Sequence, residues 1–451
     1  MNGHPGRRRA LAAVALASVA LLSGCASIAE RPISAHRVSG IRWSGAKGPL
    51  TRAQVAEVTR RLAIEQAVSS GPLYTGNEVR VLKDGAETFP AMFAAIRSAR
   101  QSVLLEYYIF DNISSDGESL LDVLKARRAE GVEVTVLYDA LGSAGTDESF
   151  LAALRDAGVQ LLAFNPINPL HAHRRWSIND RDHRKLLVAD HRTAIVGGIN
   201  LAKEYERSAG SSSSSGSSGG SSPAASESPA AGDATAAPSW RDTDLEITGP
   251  SVVALEQLYF AHWHSQGGPP LAAEGDSSGP VASGDQVVHI IGSTPEAPAP
   301  AYYATVLSAI RSAEHSIWIT AAYFVPTHQE RRELRAAARR GVDVRLLVPA
   351  KSDSGPALAL QHAAYGDLLE KGVKIYERDS VILHSKSMVV DDAWAIVGSS
   401  NFDHRSVLFN DEVDAAVIGR QTAAALRELF QADLADAHAV DLRTWRHRSL
   451  R

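Results

Sequence analysis

Apolar residues fall along this chain in two series that share one order. In the first, Ala95-Ile-Arg-Ser-Ala99 leads into an apolar run from Val103 to Phe110, followed by Gly131-Val-Glu-Val-Thr-Val-Leu137 and then Gly158-Val-Gln. In the second, Ala309-Ile-Arg-Ser-Ala313 leads into a run from Ile317 to Val325, then Gly341-Val-Asp-Val-Arg-Leu-Leu347, then Gly372-Val-Lys. Short apolar runs bounded by glycine are predicted to be buried strands, with helices between them. Each series therefore reads helix, strand, helix, strand, helix, strand, which predicts an α/β fold with mostly parallel, mixed sheets flanked by helices on both faces.

Both series run into the same polar signature. His183-Arg-Lys185-Leu-Leu-Val-Ala-Asp190 recurs as His384-Ser-Lys386-Ser-Met-Val-Val-Asp391. Gly197-Gly-Ile-Asn200 recurs as Gly398-Ser-Ser-Asn401, and His to Asn is 17 positions each time. One His-x-Lys is weak evidence; the same identities repeated in one register are strong. In an extended segment alternate side chains share a face, so histidine and lysine project together while Asp190 and Asp391 fall on the other side and anchor structure behind it. Two such units folded together would bring two imidazoles and two ammonium groups to one centre. Lysine is a point charge for phosphate and asparagine supplies amide donors. One histidine can then attack phosphorus while the other protonates the leaving oxygen.

With its two His-x-Lys-x4-Asp motifs the chain resembles the phospholipase D superfamily, and within it the bacterial cardiolipin synthases. Asn179-Asp-Arg-Asp-His183-Arg-Lys185, Trp240-Arg-Asp242-Thr-Asp-Leu-Glu-Ile-Thr-Gly249-Pro250 and Tyr323-Phe-Val-Pro326 read like that family's segments. The resemblance covers roughly Asn77 to Val440. It implies two phospholipase D-like lobes in a pseudo-two-fold arrangement, with the active site at their interface and a phosphohistidine intermediate. By resemblance His183 is the nucleophile and His384 the general acid/base; the pseudo-symmetry leaves the sequence unable to rank them. The implied reaction passes a phosphatidyl group to phosphatidylglycerol and releases glycerol. Hydrolysis to phosphatidic acid is the alternative, and a secreted phosphodiesterase or nuclease a further one.

Aligning Asp242-Thr-Asp-Leu-Glu-Ile-Thr-Gly249 with Glu412-Val-Asp-Ala-Ala-Val-Ile-Gly419 pairs Asp242 with Glu412. A nucleophilic imidazole needs its far nitrogen held by an acceptor, and the resemblance implies that each of these carboxylates orients a histidine. The first series holds 31 additional residues before Asp242. They lie in a Ser/Gly/Ala/Pro-rich stretch, 208–239, expected to be a disordered, tolerated insertion.

Composition narrows the reading. With 451 residues, 45% hydrophobic and 22% charged, the chain can bury two sizeable cores. A net charge of −5 argues against a nucleic-acid binder working through a broad basic surface. Arg7-Arg-Arg9, an apolar run from Ala10 to Leu22, and Leu22-Ser-Gly-Cys25 read as a secretory signal ending in a lipobox. Cys25, the chain's one cysteine, is then the lipidation site. Losing residues 1–24 removes three arginines and no acid, taking the charge from −5 to −8. The expected organisation is a signal peptide (1–24), an anchor segment (25–76), lobe 1 (77–268), a linker (269–284) and lobe 2 (285–451). The expected setting is the bacterial cell envelope, on the periplasmic face, with Ala26 favouring the outer membrane. The partner is a phospholipid membrane, and the protein a monomer with an internal pseudo-dimer.

Lesser candidates are His171, His173, Arg174 and Arg175 as a basic lining, and His404 and Arg405 beside Asn401. Glu106 and Tyr107 sit near the cleft by resemblance, and Trp240, Trp263, Phe260 and Trp318 are read as core. No Cys or clustered acid completes a ligand set around His171 and His173, so neither a catalytic metal nor another cofactor is expected.

Overall fold

The computed structural model describes residues 44–447, apart from 46–47, 70, 167, 169–176, 178, 207–238, 276–279, 296, 298–299 and 353. Cys25, the basic run 171–175 and all of 208–239 except Ser239 thus lie outside the described residues.

Helix α1 (Arg52–Val68) starts at a capping box in which Thr51 accepts from the Gln54 backbone and Gln54 from that of Thr51. The first half follows: β1 (Leu73–Lys83), α2 (Asp84–Ser98), β2 (Ser102–Tyr107), α3 (Leu120–Ala129), β3 (Glu133–Asp139), α4 (Glu148–Asp156) and β4 (Gln160–Phe164). Short β5 (Arg181–Asp182) precedes β6 (Lys185–Ala189), β7 (Thr193–Gly197), short β8 (Trp240–Arg241), β9 (Thr243–Thr248) and α5 (Val252–Ser265). The second half opens with β10 (Gln286–Ser293), α6 (Ala301–Arg311), β11 (Ser316–Ala321), α7 (His328–Arg339), β12 (Asp343–Pro349), α8 (Gly355–Leu369) and β13 (Lys374–Arg378). It closes with β14 (Ile382–Leu383), β15 (Lys386–Val390), β16 (Trp394–Gly398), α9 (His404–Leu408), β17 (Asn410–Ile418), α10 (Arg420–Leu434) and β18 (Ala437–Ala439).

The long strands form one continuous sheet in the order β18-β13-β12-β11-β15-β16-β17-β10-β1-β9-β7-β6-β2-β3-β4. Its middle is the antiparallel pair β10–β1, and the strand order reads the same outward in both directions from there, except that the second half adds β18 at its edge. The α/β class holds, but the expected mostly parallel sheet needs correcting. Among the long strands parallel pairing is confined to β2–β3–β4 and β11–β12–β13, where helices return the chain. The rest of the long-strand pairing is antiparallel. The reason is local: three residues join β6 to β7 and three join β15 to β16, too few for a parallel crossover.

Those turns explain the motif aspartates. Asp190 and His191 have φ of 52° and 57°, and Asp391 and Asp392 have 51° and 52°. Aspartate tolerates this left-handed backbone better than most residues. From there the Asp190 carboxylate accepts three backbone N–H groups, of Arg100, Gln101 and Ser102, at 2.7–3.0 Å. Asp391 does the same with Glu314, His315 and Ser316 at 2.8–2.9 Å. Each carboxylate thereby ties the end of its motif strand to the start of the neighbouring central strand.

Each half buries its own core under its helices, and a third core runs across the seam. This shared core joins Leu104, Leu186, Val196 and Leu245 to Val288, Val389, Val397 and Val413 beneath α5 and α10. Among the described residues no helix is long and apolar enough to cross a membrane.

Candidate active site

Each histidine is placed by a short strand that crosses to the other half. β5 pairs in parallel with β17, and the His183 N–H donates to the Asp411 carbonyl at 2.9 Å. β14 pairs in parallel with β8, and the His384 N–H donates to the Arg241 carbonyl at 2.8 Å. The side chains cross as well. His183 Nδ1 lies 3.0 and 3.1 Å from the two Glu412 carboxylate oxygens, and His384 Nδ1 lies 2.7 Å from Asp242 Oδ2. Each half therefore supplies the carboxylate for the opposite histidine. With Nδ1 so committed, Nε2 is the ring nitrogen left for a substrate, Lys386 Nζ lying 3.4 Å from that of His384.

The lysines complete one charged centre. Lys185 Nζ donates to the His183 carbonyl at 2.5 Å, and Lys386 Nζ donates to that of His384 and lies 2.9 Å from its Nδ1. Burial first, then the charges of Lys185 and Lys386, holds His183 well below the usual imidazole range. Burial and Lys386, with a contribution from Lys185, take His384 down to about 4. Both ammonium groups thus act on both rings. Burial, opposed by Glu412 and helped by Lys386, lowers Lys185 to about 7. Both imidazoles rest neutral beside two lysines that can meet an anion.

The carboxylates differ. Burial pushes Glu412 up to about 7 against the pull of Lys185. Burial opposes ionisation of Asp242 too, but Lys386 and His384 outweigh it and keep this acid below its ordinary value. The sequence reading missed the residue that marks this difference. Tyr205, 1% exposed, places its hydroxyl 3.3 Å from Asp242 Oδ2 and 3.0 Å from His384 Nδ1. A signal was available, since Tyr205 follows Asn200 by five positions as Ser406 follows Asn401, and Ser406 hydrogen-bonds Glu412. Extending the repeat register would have found both. Ser399, where the first motif has Gly198, also hydrogen-bonds Glu412, while a Cβ at Gly198 would collide with the Asp242 carboxylate.

The asparagines sit just behind. Asn200 Oδ1 accepts the Ile109 N–H at 3.2 Å, and the Asn401 N–H donates to Ser406 Oγ at 3.0 Å, leaving Asn401 Oδ1 buried without a partner. Aromatic rings wall the centre. Tyr108 meets His183 edge-on at 5.3 Å, and Trp240, read as core, is half-buried 5.0 Å from the His384 ring. Tyr107 packs in the core with its hydroxyl 3.9 Å from Met92 Sδ.

Glu106 lies beneath the first motif. It pairs with Arg184 at 3.1 Å and His262 at 2.6 Å, and with Asp182 and His262 it forms a group of ligand-type atoms within 4.8 Å of one another. Burial raises both carboxyls, Asp182 the more for having Glu106 beside it, while Glu106 Oε2 and Asp182 Oδ2 are buried without a hydrogen-bond partner.

Comparison with known proteins agrees with this geometry. The family model described as cardiolipin synthase, PLD-like domain, matches residues 92–209 and 306–434. A cardiolipin synthase of Alkalihalophilus pseudofirmus is 32% identical over 384 residues, 84% of this chain and 71% of that one. Cardiolipin synthase A of Pseudomonas putida is 33% identical over 373 residues, 82% of this chain and 71% of that one. The crystal structure of phosphatidylserine synthase from Haemophilus influenzae aligns over 84% of this chain and 92% of its own with a TM-score of 0.59 and 14% identity, a likeness of fold. The protein is an enzyme of the phospholipase D type. It belongs to the cardiolipin synthase family.

Proposed function

We propose that the protein transfers a phosphatidyl group from one phosphatidylglycerol to the hydroxyl of another, giving cardiolipin and glycerol. The crossed His183–Glu412 and His384–Asp242 pairs carry this reading, because they leave two Nε2 atoms and two lysines for one phosphodiester. His183, Lys185, His384, Lys386, Asn200 and Asn401, with Asp242 and Glu412, form the working set, and residues 77–268 and 285–451 are the two lobes that bring it together.

Neutral His183 Nε2 attacks phosphorus, forming a P–N bond. As the P–O bond to glycerol breaks, the leaving oxygen takes the proton of His384, whose cation Asp242 stabilises. The bound phosphodiester anion favours that cation, so substrate charges the ring that rests neutral. The acceptor hydroxyl then gives its proton to His384 and attacks phosphorus, and His183 leaves unchanged. Lys185 and Lys386 hold the phosphoryl oxygens throughout. Cys25 carries the lipid that tethers the enzyme to the periplasmic face of the cell envelope, at the outer membrane.

Purified protein given phosphatidylglycerol, phosphatidylethanolamine and single-stranded DNA, with products identified by mass spectrometry, tests the reading. Cardiolipin supports it; phosphatidic acid alone replaces transfer with hydrolysis, and nucleotide fragments replace both. His384→Ala should accumulate a phosphoenzyme and His183→Ala should not; the reverse exchanges their roles.

A further inference from the structure

Among the described residues, six large apolar side chains stand in the open: Val55, Leu141, Val281, Leu360, Leu408 and Phe409. Three of them share one edge of the active centre. Leu408 and Phe409, 53% and 39% exposed, end α9, and the Phe409 carbonyl accepts the N–H of Arg181, two residues before His183. Leu141, 44% exposed, heads the loop after β3, and its N–H donates to Asp139 at 2.8 Å. The Asp139 carboxylate in turn pairs with the Arg181 guanidinium at 3.4 Å. Arg181 thus ties both apolar tips to the strand that delivers the first histidine.

The same edge is cationic. Arg405 is exposed on α9, and its Nη2 donates to the Asn179 carbonyl at 3.1 Å. Its charge reaches the His183 ring. Apolar tips beside a cation, at the rim of a site for an anionic phospholipid, have the chemistry of an interfacial contact. A stable protein partner would bury about 800 Å² on each side, more than three partly exposed side chains supply. We propose that Leu141, Leu408 and Phe409 insert into the surface of an anionic phospholipid bilayer, with Arg405 at headgroup level, so that lipid reaches the histidines without leaving the membrane. This inference rests on the phospholipid reading of the site.

The test uses the full chain carrying Cys25→Ser, so that no acyl group tethers it. Cosedimentation is measured with vesicles of phosphatidylglycerol and phosphatidylcholine, and with phosphatidylcholine alone. Turnover is measured on dihexanoyl phosphatidylglycerol kept monomeric. Leu408→Asp with Phe409→Asp should weaken binding to the anionic vesicles at least about tenfold, since each lost apolar insertion is worth that much. Turnover of the monomeric lipid should not change. Unaltered vesicle binding overturns the proposal, as does equal binding of the parent to neutral vesicles. Should the double variant fold poorly, Leu408→Trp decides: its emission should shift to the blue on adding vesicles and be quenched by brominated acyl chains, and an unmoved spectrum overturns the proposal. A change in association state without lipid would make the patch a protein interface and overturn it too. If no form turns over any phospholipid, the functional reading fails, while the vesicle and tryptophan measurements still decide this one.

Discussion

Tyr205 and Asp242 make the second histidine unlike the first. Asp242→Asn keeps the shape but removes the charge that fixes the His384 tautomer and steadies its cation. Turnover should fall about 10³- to 10⁴-fold with the circular dichroism spectrum unchanged, by analogy with the buried aspartate of serine-protease triads. A loss below about tenfold would remove Asp242 from the mechanism. Tyr205→Phe should cost about tenfold in kcat with little change in KM, as loss of a supporting hydrogen bond does. A second prediction concerns pH. His384 moves from 6.5 to about 4 on folding, so between those values the unfolded chain binds more protons and stability rises with pH. Glu412 moves from 4.5 to about 7, so between those values the folded chain binds more protons and stability falls with pH. The two oppose each other between 4.5 and 6.5. Glu412→Gln removes one side, and its melting temperature should therefore drop more steeply on acidification through that window than the parent's. Parallel melting curves would refute the coupling. The sequence made the histidines, lysines and carboxylates legible because chemistry restricts those positions to few residue types and the repeat doubled the signal. It hid Tyr205 because a tyrosine after a motif looks like packing until its hydroxyl is seen against a carboxylate.

At the scale of elements, α1 does what no motif announced. Arg61 and Arg60 both pair with the Asp391 carboxylate, Arg60 at 3.1 Å, and Glu65 accepts from His289 at 2.7 Å and Trp394 at 2.9 Å. A helix that precedes both halves thus grips the end of the second motif strand. Arg61→Ala leaves Asp391 buried with Arg60 and three N–H groups, so the expected cost is about 1–3 kcal/mol, below that of a fully orphaned charge. Denaturant titration measures it, and an unchanged midpoint would deny α1 this role. The alternation of helices and strands leading into each motif was legible from apolar runs and glycines, but the strands that open each half, β1 and β10 at the centre of the sheet, were not. Strand direction was not either, because it depends on whether a connection is long enough to cross over, and nothing in the sequence marks Asp190 and Asp391 as three-residue turns.

At the scale of the molecule, the halves are one sheet with a shared core, so they should not exchange between chains. Mixing His183→Ala protein with His384→Ala protein should restore no activity; recovery would mean that halves re-pair. The crossing of carboxylates was invisible in the sequence, where each acid stands in the same half as the histidine it does not serve. Tyr205 and Trp240, on either side of residues 207–238, have ring centroids 5.3 Å apart. Trp240 is held by β14 and Arg241 by Asp433 and Asp84, so the chain from Trp240 onward is anchored by contacts of its own. Doubling a closed loop costs only about 0.6 kcal/mol. The position is therefore a splice port: a fluorescent reporter or affinity module could be grafted between those two rings, and catalysis should go on as before.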